Sequence, residues 1–182
     1  MKSAFVFLAD GFEDVEAVTP IDYLRRAGVS VTVVGVTGGI AVSAHHLSVT
    51  CDKTLGELDG LPLPDLAVLP GGGKGSENLA SSVGLKELIT RMFAERRFVG
   101  AICASPAVVL GVWGLLEGRS FTCFPGMGEN FPVKPLKNRV VVDLNLITSR
   151  SAGTAEEFSL ALIKALCGES AASKISDAIL AR

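Results

Sequence analysis

The chain has 182 residues, of which 48% are hydrophobic and 20 are glycines. This length fits one domain, residues 1–182, and the composition favours buried strands and tight turns over disorder or a coiled coil. Seventeen basic and nineteen acidic residues give a formal net charge of −2. No basic stretch with interleaved aromatic residues indicates a nucleic-acid surface, so we predict a compact globular protein with no nucleic-acid partner.

The apolar segment near the N-terminus is short. It begins after Lys2 and ends at Asp10, which is too short to cross a membrane, and it lacks a signal-peptide cleavage pattern. The four cysteines have no C-x-x-C spacing, so neither a disulfide framework nor a zinc site is indicated. We expect a cytoplasmic protein with free thiols, no membrane association and no metal.

Strand-length apolar segments alternate with longer helical patterns, which is typical of βαβ units and a largely parallel sheet covered on both faces. The predicted fold class is therefore α/β. The predicted strands span residues 3–9, 30–36, 47–51, 66–69, 98–102, 120–123, 140–143 and 146–148. The predicted helices span residues 13–27, 78–97, 106–113, 154–166 and 171–180.

Three segments, 10–16, 70–75 and 103–106, each follow the end of a predicted strand. Ligands of open parallel sheets bind beyond the carboxyl ends of the strands. We therefore expect the three segments to converge at one crevice.

Cys103 stands where a strand runs straight into a helix. Backbone N–H groups and the helix dipole at such a position favour a thiolate, and the small residues Ala104 and Ser105 suit a sharp nucleophile elbow, although G-x-S-x-G is not matched. The simpler alternative is that Cys103 is a small buried hydrophobic residue. The other three cysteines do not begin a helix, so we interpret them as structural.

The first helix opens with three acidic residues, Glu13, Asp14 and Glu16. Acidic side chains at a helix start are explained by the helix dipole alone. A carboxyl buried in the crevice, such as Glu16, would instead have a raised pKa and could donate a hydrogen bond to a Cys103 thiolate. The residues alone do not choose among the three acids.

The glycine-rich segment that follows the strand at 66–69 does not match a nucleotide-binding motif. The order of Lys74, Gly75 and Ser76 differs from that of a P-loop, and Ser76 replaces the third glycine of G-x-G-x-x-G. We predict that these glycines allow close backbone approach and supply N–H donors for an oxyanion.

The two histidines, His45 and His46, are adjacent on a predicted loop. We interpret them as exposed loop residues; to act as bases they would have to fold over the crevice or come from a neighbouring subunit. They lack a spaced third partner of the kind that a zinc site needs.

The chain resembles the DJ-1/ThiJ/PfpI superfamily, and most of all its DJ-1 and bacterial ThiJ-like branch. The resemblance spans nearly the whole chain and rests on four sequence blocks that occur in the same order. The blocks are ADGFEDVE (9–16), LPGG (69–72), AICASP (101–106) and TSR with GT (148–150 and 153–154). The resemblance implies a flavodoxin-like three-layer sandwich, a homodimer and no cofactor.

The resemblance also implies roles for particular residues. Cys103 would be the reactive thiol and Glu16 its hydrogen-bonding acid, with the backbone N–H groups of Gly72 and Ala104 facing the sulfur. Further residues that could line the pocket are Gly71, Ser105, Ser151, Ala152, Gly153 and His46.

The chain departs from the family pattern at two places. Phe124 precedes Pro125 where some members have a histidine, so a cysteine peptidase mechanism, which normally needs an imidazole base, is weakened. A family arginine near the pocket falls on His45 or His46, in a stretch where the alignment is loose.

The expected function is a thiol enzyme acting on small dicarbonyls or glycated proteins, of the glyoxalase or deglycase type, in stress protection. The alternative is a redox sensor or stress chaperone that works through oxidation of Cys103. A role with thiamine precursors finds no support in these residues.

Overall fold

The computed structural model describes residues 1–181. Its strands are β1 (Ser3–Leu8), β2 (Ser30–Gly35), β3 (Ile40–Val42), β4 (Ser48–Thr50), β5 (Lys53–Thr54), β6 (Leu66–Leu69), β7 (Phe98–Ile102), β8 (Val140–Asp143) and β9 (Leu146–Ser149). Its α-helices are α1 (Asp14–Arg26), α2 (Gly73–Ala80), α3 (Val83–Ala94), α4 (Ala155–Cys167) and α5 (Glu169–Ala178). Short 3₁₀ helices span Leu55–Leu58 and Ala152–Thr154, and a π-helix spans Pro106–Gly111.

A seven-stranded sheet with the order β5-β2-β1-β6-β7-β9-β8 forms the centre of the fold, and β3 and β4 form a separate hairpin. Every pairing in the large sheet is parallel except that of β8 with β9. Leu69 pairs with Ala101 and Ile102 with Ser149, so the carboxyl ends of β6, β7 and β9 lie side by side. The predicted mostly parallel α/β sheet is confirmed.

Helices cover both faces of the sheet because its strands are apolar on both faces. In β1, Ala4, Val6 and Leu8 pack in the core that includes residues of α1, α4 and α5. The alternate residue Phe7 packs in the second core, with residues of α2, α3 and the π-helix. This two-residue alternation is the periodicity of a strand, and it produces the flavodoxin-like three-layer sandwich.

Local hydrogen bonding explains the bounds of α1. The Glu13 side chain accepts from the Glu16 N–H at 2.8 Å, which caps the first turn. At the other end, Gly28 adopts a φ of +78° that suits glycine, and the helix continues through the buried Pro20. The cap fixes the first turn of α1 and with it the side chain of Glu16.

The predicted single helix over residues 78–97 is wrong, because this segment belongs to two helices. The first of them, α2, already begins at Gly73 and ends at Ala80. The Ser82 hydroxyl then accepts from the Leu85 N–H at 3.3 Å, and this N-cap starts α3.

The predicted strand at 120–123 is absent from the described residues because its backbone donors bind side chains instead of a neighbouring strand. The Ser120 N–H donates to Asp143 Oδ2 and the Thr122 N–H to Thr148 Oγ1, both at 2.9 Å. The helix predicted to reach 113 is a π-helix that ends at Gly111.

Within the described part of the chain, no helix is both long and apolar enough to span a membrane.

Candidate active site

Three chain segments meet at the carboxyl edge of the sheet. The Gly71 N–H donates to Glu16 Oε2 at 2.9 Å. A Cβ atom added at Gly71 would lie 2.5 Å from Glu16 Oε2 and 2.6 Å from the Cβ of Cys103. The predicted convergence of segments 10–16, 70–75 and 103–106 is therefore confirmed, with Gly71 between the acid and the thiol.

Cys103 has the backbone of a sharp elbow. Its φ is +64°, a left-handed conformation that is costly for a residue with a side chain and that persists only when its surroundings fix it. The Cys103 N–H donates to the Ser149 carbonyl at 3.0 Å, and the Cys103 carbonyl accepts from the Phe124 N–H at 2.7 Å. These two bonds hold the turn on both sides and support the predicted nucleophile elbow.

Ser105 fixes the elbow from behind. Its buried hydroxyl donates to the Pro70 carbonyl at 2.5 Å and lies 3.0 Å from the Ser76 hydroxyl. Ser76 is a contributor that the sequence interpretation missed, since it was treated only as the residue that breaks a glycine motif. The two serines tie the elbow to the glycine-rich segment, so Ser105 has a positioning role.

Glu16 is fully buried, and its Oε1 atom has no hydrogen-bond partner among the described residues. Burial raises the pKa of this carboxyl to about 7, although the Cys103 thiol and the N–H groups of Gly71 and Ala152 act in the opposite direction. The carboxyl therefore changes protonation near neutral pH, as general acid–base chemistry requires. The predicted raised pKa of Glu16 is confirmed.

The Cys103 thiol does not favour the thiolate in this structure. Burial and then the negative charge of Glu16 raise its pKa to about 12, and the N–H groups of Gly72 and Ala104 lower it by less. The predicted lowering by the elbow is therefore wrong, because desolvation and the neighbouring carboxylate outweigh the backbone donors. Since each negative charge disfavours the other, the pair holds at most one charge near neutral pH.

The segment after β9 brings one more predicted residue, Ala152, to the Glu16–Cys103 pair. The Ala152 N–H acts on Glu16, whereas Gly153 is exposed and its carbonyl accepts from Arg139 at 2.7 Å. The Thr154 hydroxyl, which was not among the candidates, accepts from the Ser151 N–H at 3.1 Å and lies 2.6 Å from the Ser149 hydroxyl. Thr154 thus positions the turn that carries Ser151 and Ala152.

The histidines lie at the turn between β3 and β4, and both are exposed, as interpreted from the sequence. His45 Nδ1 lies 2.7 Å from Asp14 Oδ2. Glu13, Asp14 and His45 place three potential metal-binding atoms within 4.8 Å of one another, yet Asp14 also accepts from the Ser43 hydroxyl and Glu13 caps α1. These bonds hold the hairpin against α1, and no described contact joins His46 to Cys103.

We predict that Gly71→Ala destabilises the protein by about 1–3 kcal/mol, because the new methyl group overlaps both Glu16 and Cys103. Gly73→Ala is the matched control, since a Cβ atom there meets nothing within 4 Å. Urea unfolding of both variants measures the difference. Equal stability of the two variants would contradict the tight approach of Gly71.

The pKa of Glu16 predicts a pH-dependent stability. In the folded protein the Glu16 carboxyl keeps its proton up to about pH 7, whereas its ordinary pKa, which applies to the unfolded chain, is 4.5. Between these two pH values the unfolded chain releases the proton and the folded protein does not. The free energy of unfolding therefore falls by about 3 kcal/mol as pH rises from 4.5 to 7. Glu16→Gln carries no charge and should remove this fall, whereas the exposed Glu87→Gln should not. Urea unfolding from pH 4.5 to 7.5 tests this, and parallel curves for wild type and Glu16→Gln would contradict it.

Residues 2–165 match the model of the DJ-1/PfpI family. The chain belongs to the DJ-1/PfpI family. It is 36% identical over 184 residues to DJ-1 homolog B of Arabidopsis thaliana, covering all of this chain but 42% of that protein, so it spans less than half the length of that relative. It is 31% identical over 164 residues to a deglycase of Pyrococcus abyssi, covering 88% of this chain and 97% of that protein.

A solved structure of oxidized DJ-1 from Toxoplasma gondii superposes on this DJ-1/PfpI chain with a TM-score of 0.95. The two are 34% identical, and the match covers 99% of this chain and 98% of the other. The family resemblance and the flavodoxin-like fold predicted from the sequence blocks are both confirmed.

Proposed function

We propose that this protein is a cofactor-independent thiol enzyme that converts methylglyoxal and related reactive dicarbonyls to 2-hydroxy acids, in protection against stress. The observation that carries the proposal is the buried Glu16 carboxyl, with a pKa of about 7, beside the Cys103 thiol at a strained elbow. A carboxyl that exchanges protons near neutral pH next to a sulfur nucleophile is suited to covalent catalysis with proton transfer. The deglycase name of the Pyrococcus abyssi relative is in accord with this chemistry.

In the first step, the Cys103 sulfur attacks the aldehyde carbon C1 of methylglyoxal while Glu16 takes the thiol proton. Glu16 returns that proton to the developing oxyanion, which gives a hemithioacetal with the ketone at C2 intact and leaves Glu16 ionised. The N–H groups of Gly72 and Ala104, which act on the sulfur, stabilise negative charge as the thiol loses its proton. Transfer of the proton to Glu16 also removes the carboxylate charge that opposes the thiolate.

In the second step, ionised Glu16 removes the hydrogen from C1, and the C2 oxygen gains a proton to give an enediol. Return of a proton from Glu16 to C2, with loss of the C1 hydroxyl proton to solvent in place of the one that the C2 oxygen gained, leaves a lactoyl thioester on Cys103. C1 is thereby oxidised and C2 reduced within one molecule. Water then hydrolyses the thioester to lactate and frees the thiol. The sum is methylglyoxal plus water to lactic acid, with no external oxidant or reductant.

The same chemistry could act on early glycated proteins, either directly or through removal of the free dicarbonyl that they release. A preformed adduct of methylglyoxal with N-acetylcysteine separates these routes. If adduct loss never exceeds its spontaneous dissociation rate, free methylglyoxal is the substrate. Faster loss that depends on enzyme concentration would establish a direct deglycase.

Proton NMR of the reaction in D₂O tests the proposal. We expect lactate as the product, with deuterium at C2, because the proton that Glu16 takes from C1 exchanges with solvent before Glu16 protonates C2. If methylglyoxal is consumed only by covalent modification of the protein and no lactate forms, the proposed enzyme activity is contradicted. Lactate with no deuterium at C2 would contradict a proton carrier that exchanges with solvent, since it indicates that the hydrogen passes from C1 to C2 without exchange.

A redox sensor is the second candidate, favoured by the oxidized state of the Toxoplasma gondii structure. Here peroxide oxidises the Cys103 sulfur to a sulfenate and then, with a second peroxide, to a sulfinate, releasing water at each step. For a sensor, mass spectrometry after peroxide treatment should show two added oxygen atoms on Cys103 alone. The same protein, when reduced, should not turn over methylglyoxal. Equal oxidation of Cys51 and Cys103 would contradict a dedicated sensor.

A further inference from the structure

A cavity of about 340 Å³ borders the strand-end crevice and is not used by the chemistry above. Its walls come from segments 123–129 and 134–137 and from Arg150, which follows β9. We call it the basic cavity. Its volume lies in the range that holds small organic ligands.

One lining residue of the basic cavity, and the neighbour of another, are bonded to the backbone of Cys103. The Phe124 N–H donates to the Cys103 carbonyl at 2.7 Å. The Cys103 N–H donates at 3.0 Å to the carbonyl of Ser149, the residue before Arg150. The cavity therefore adjoins the elbow, and a substrate bound at Cys103 could extend into it.

The charged side chains that line the basic cavity are mainly cationic. Three of its side chains are Lys134, Lys137 and Arg150, and Glu129 is its one acid among the described residues. Neither Lys137 nor Arg150 forms an ion pair with a described residue, and the Arg150 guanidinium uses one donor, to the Lys137 carbonyl at 2.9 Å. Uncompensated positive charge in a concave site attracts small anions.

The charge of Arg150 extends to a buried wall of the cavity. Burial raises the pKa of the Cys123 thiol to about 11, and the positive charge of Arg150 acts in the opposite direction. Cys123 is 3% exposed and its sulfur lies 3.1 Å from the Met127 carbonyl. A ligand in the cavity would thus meet a cationic group beside a poorly hydrated wall, where charge-assisted hydrogen bonds are strong.

We propose that the basic cavity binds a carboxylate and directs the enzyme toward dicarbonyl substrates that carry one. The planar guanidinium of Arg150 matches a carboxylate with two parallel hydrogen bonds, and Lys137 adds a second positive charge. The proposal rests on the proposed function, because the aldehyde end of the same substrate must reach Cys103.

The kinetic test compares methylglyoxal with 4,5-dioxopentanoate, a 2-oxoaldehyde that ends in a carboxylate. In the double variant Lys137→Gln/Arg150→Gln, kcat/KM should fall about tenfold or more for 4,5-dioxopentanoate and stay unchanged for methylglyoxal. The control Lys86→Gln/Lys174→Gln removes the same charge from exposed sites outside the cavity and should change neither value. An equal fall for both substrates, or no fall for either, would overturn the proposal.

A binding test works without turnover. Amide NMR of ¹⁵N-labelled Cys103→Ala protein is recorded with lactate, inorganic phosphate or neutral propane-1,2-diol. Lactate should move the signals of Phe124, Met127 and Arg150, more weakly in the double variant, and the diol should not. Equal shifts with the diol, or tighter binding of phosphate than of lactate, would overturn a carboxylate site. If lactate binds but the wild type turns over no dicarbonyl, the proposed function fails and the carboxylate site stands.

Discussion

Replacement of Cys103 by alanine should lower the rate of lactate formation from methylglyoxal by about 10⁴-fold or more, because the sulfur that forms the hemithioacetal is gone. The fold should persist, since the elbow is fixed by backbone bonds to Ser149 and Phe124 and by the Ser105 hydroxyl rather than by the sulfur. Initial rates and urea unfolding of the purified variant measure both expectations.

Cys51→Ala is the matched control for this prediction. Cys51 is also a free, half-buried cysteine, but it follows β4 and does not interact with Glu16 or begin a helix. This variant should keep the wild-type rate. Full activity in Cys103→Ala, or equal losses in both variants, would show that the chemistry does not depend on Cys103.

Glu16→Gln should move turnover and thiol reactivity in opposite directions. Loss of the proton carrier should lower kcat by about 10² to 10⁴-fold. Above pH 7, however, Glu16 is a carboxylate whose charge raises the pKa of Cys103. Its removal should lower that pKa, so alkylation of Cys103 by iodoacetamide at pH 8 should become faster.

Mass spectrometry of the Cys103 peptide follows the alkylation, and Glu13→Ala, which removes the acceptor at the cap of the same helix, provides a control. Glu13 accepts from the Glu16 N–H, so this variant tests whether a general loosening of α1 is sufficient. Faster alkylation with unchanged turnover in Glu16→Gln would contradict proton transfer by Glu16. Slower alkylation would show that the carboxyl stabilises the thiolate in the resting protein.

Sequence periodicity predicted the fold well because its strands are apolar and its helices have local start and stop signals. β6 at Leu66–Leu69 and β7 at Phe98–Ile102 were both predicted at these bounds. Errors occurred where side chains replaced backbone partners, as at Thr122, whose N–H binds the Thr148 hydroxyl. Such a long-range bond leaves no mark in the local pattern.

The candidate site was predictable in its location but not in its electrostatics. The convergence of Glu16, Gly71 and Cys103 follows from strand order, and the choice of Glu16 among three acids came from the family resemblance. The high pKa of Cys103 could not be predicted, because it depends on how deeply the thiol and the carboxyl are buried together. The supporting hydroxyls of Ser76 and Thr154 were missed because isolated serines and threonines are common at turns.

The most direct test of the central claim is the amount of lactate formed per subunit when reduced wild-type protein is incubated with excess methylglyoxal, without glutathione or added metal. Catalysis at the Glu16–Cys103 pair predicts continued formation of many equivalents of lactate per subunit. Lactate that stops at or below one equivalent, while the protein remains reduced, would contradict an enzyme and leave oxidation of Cys103 as the function of the site.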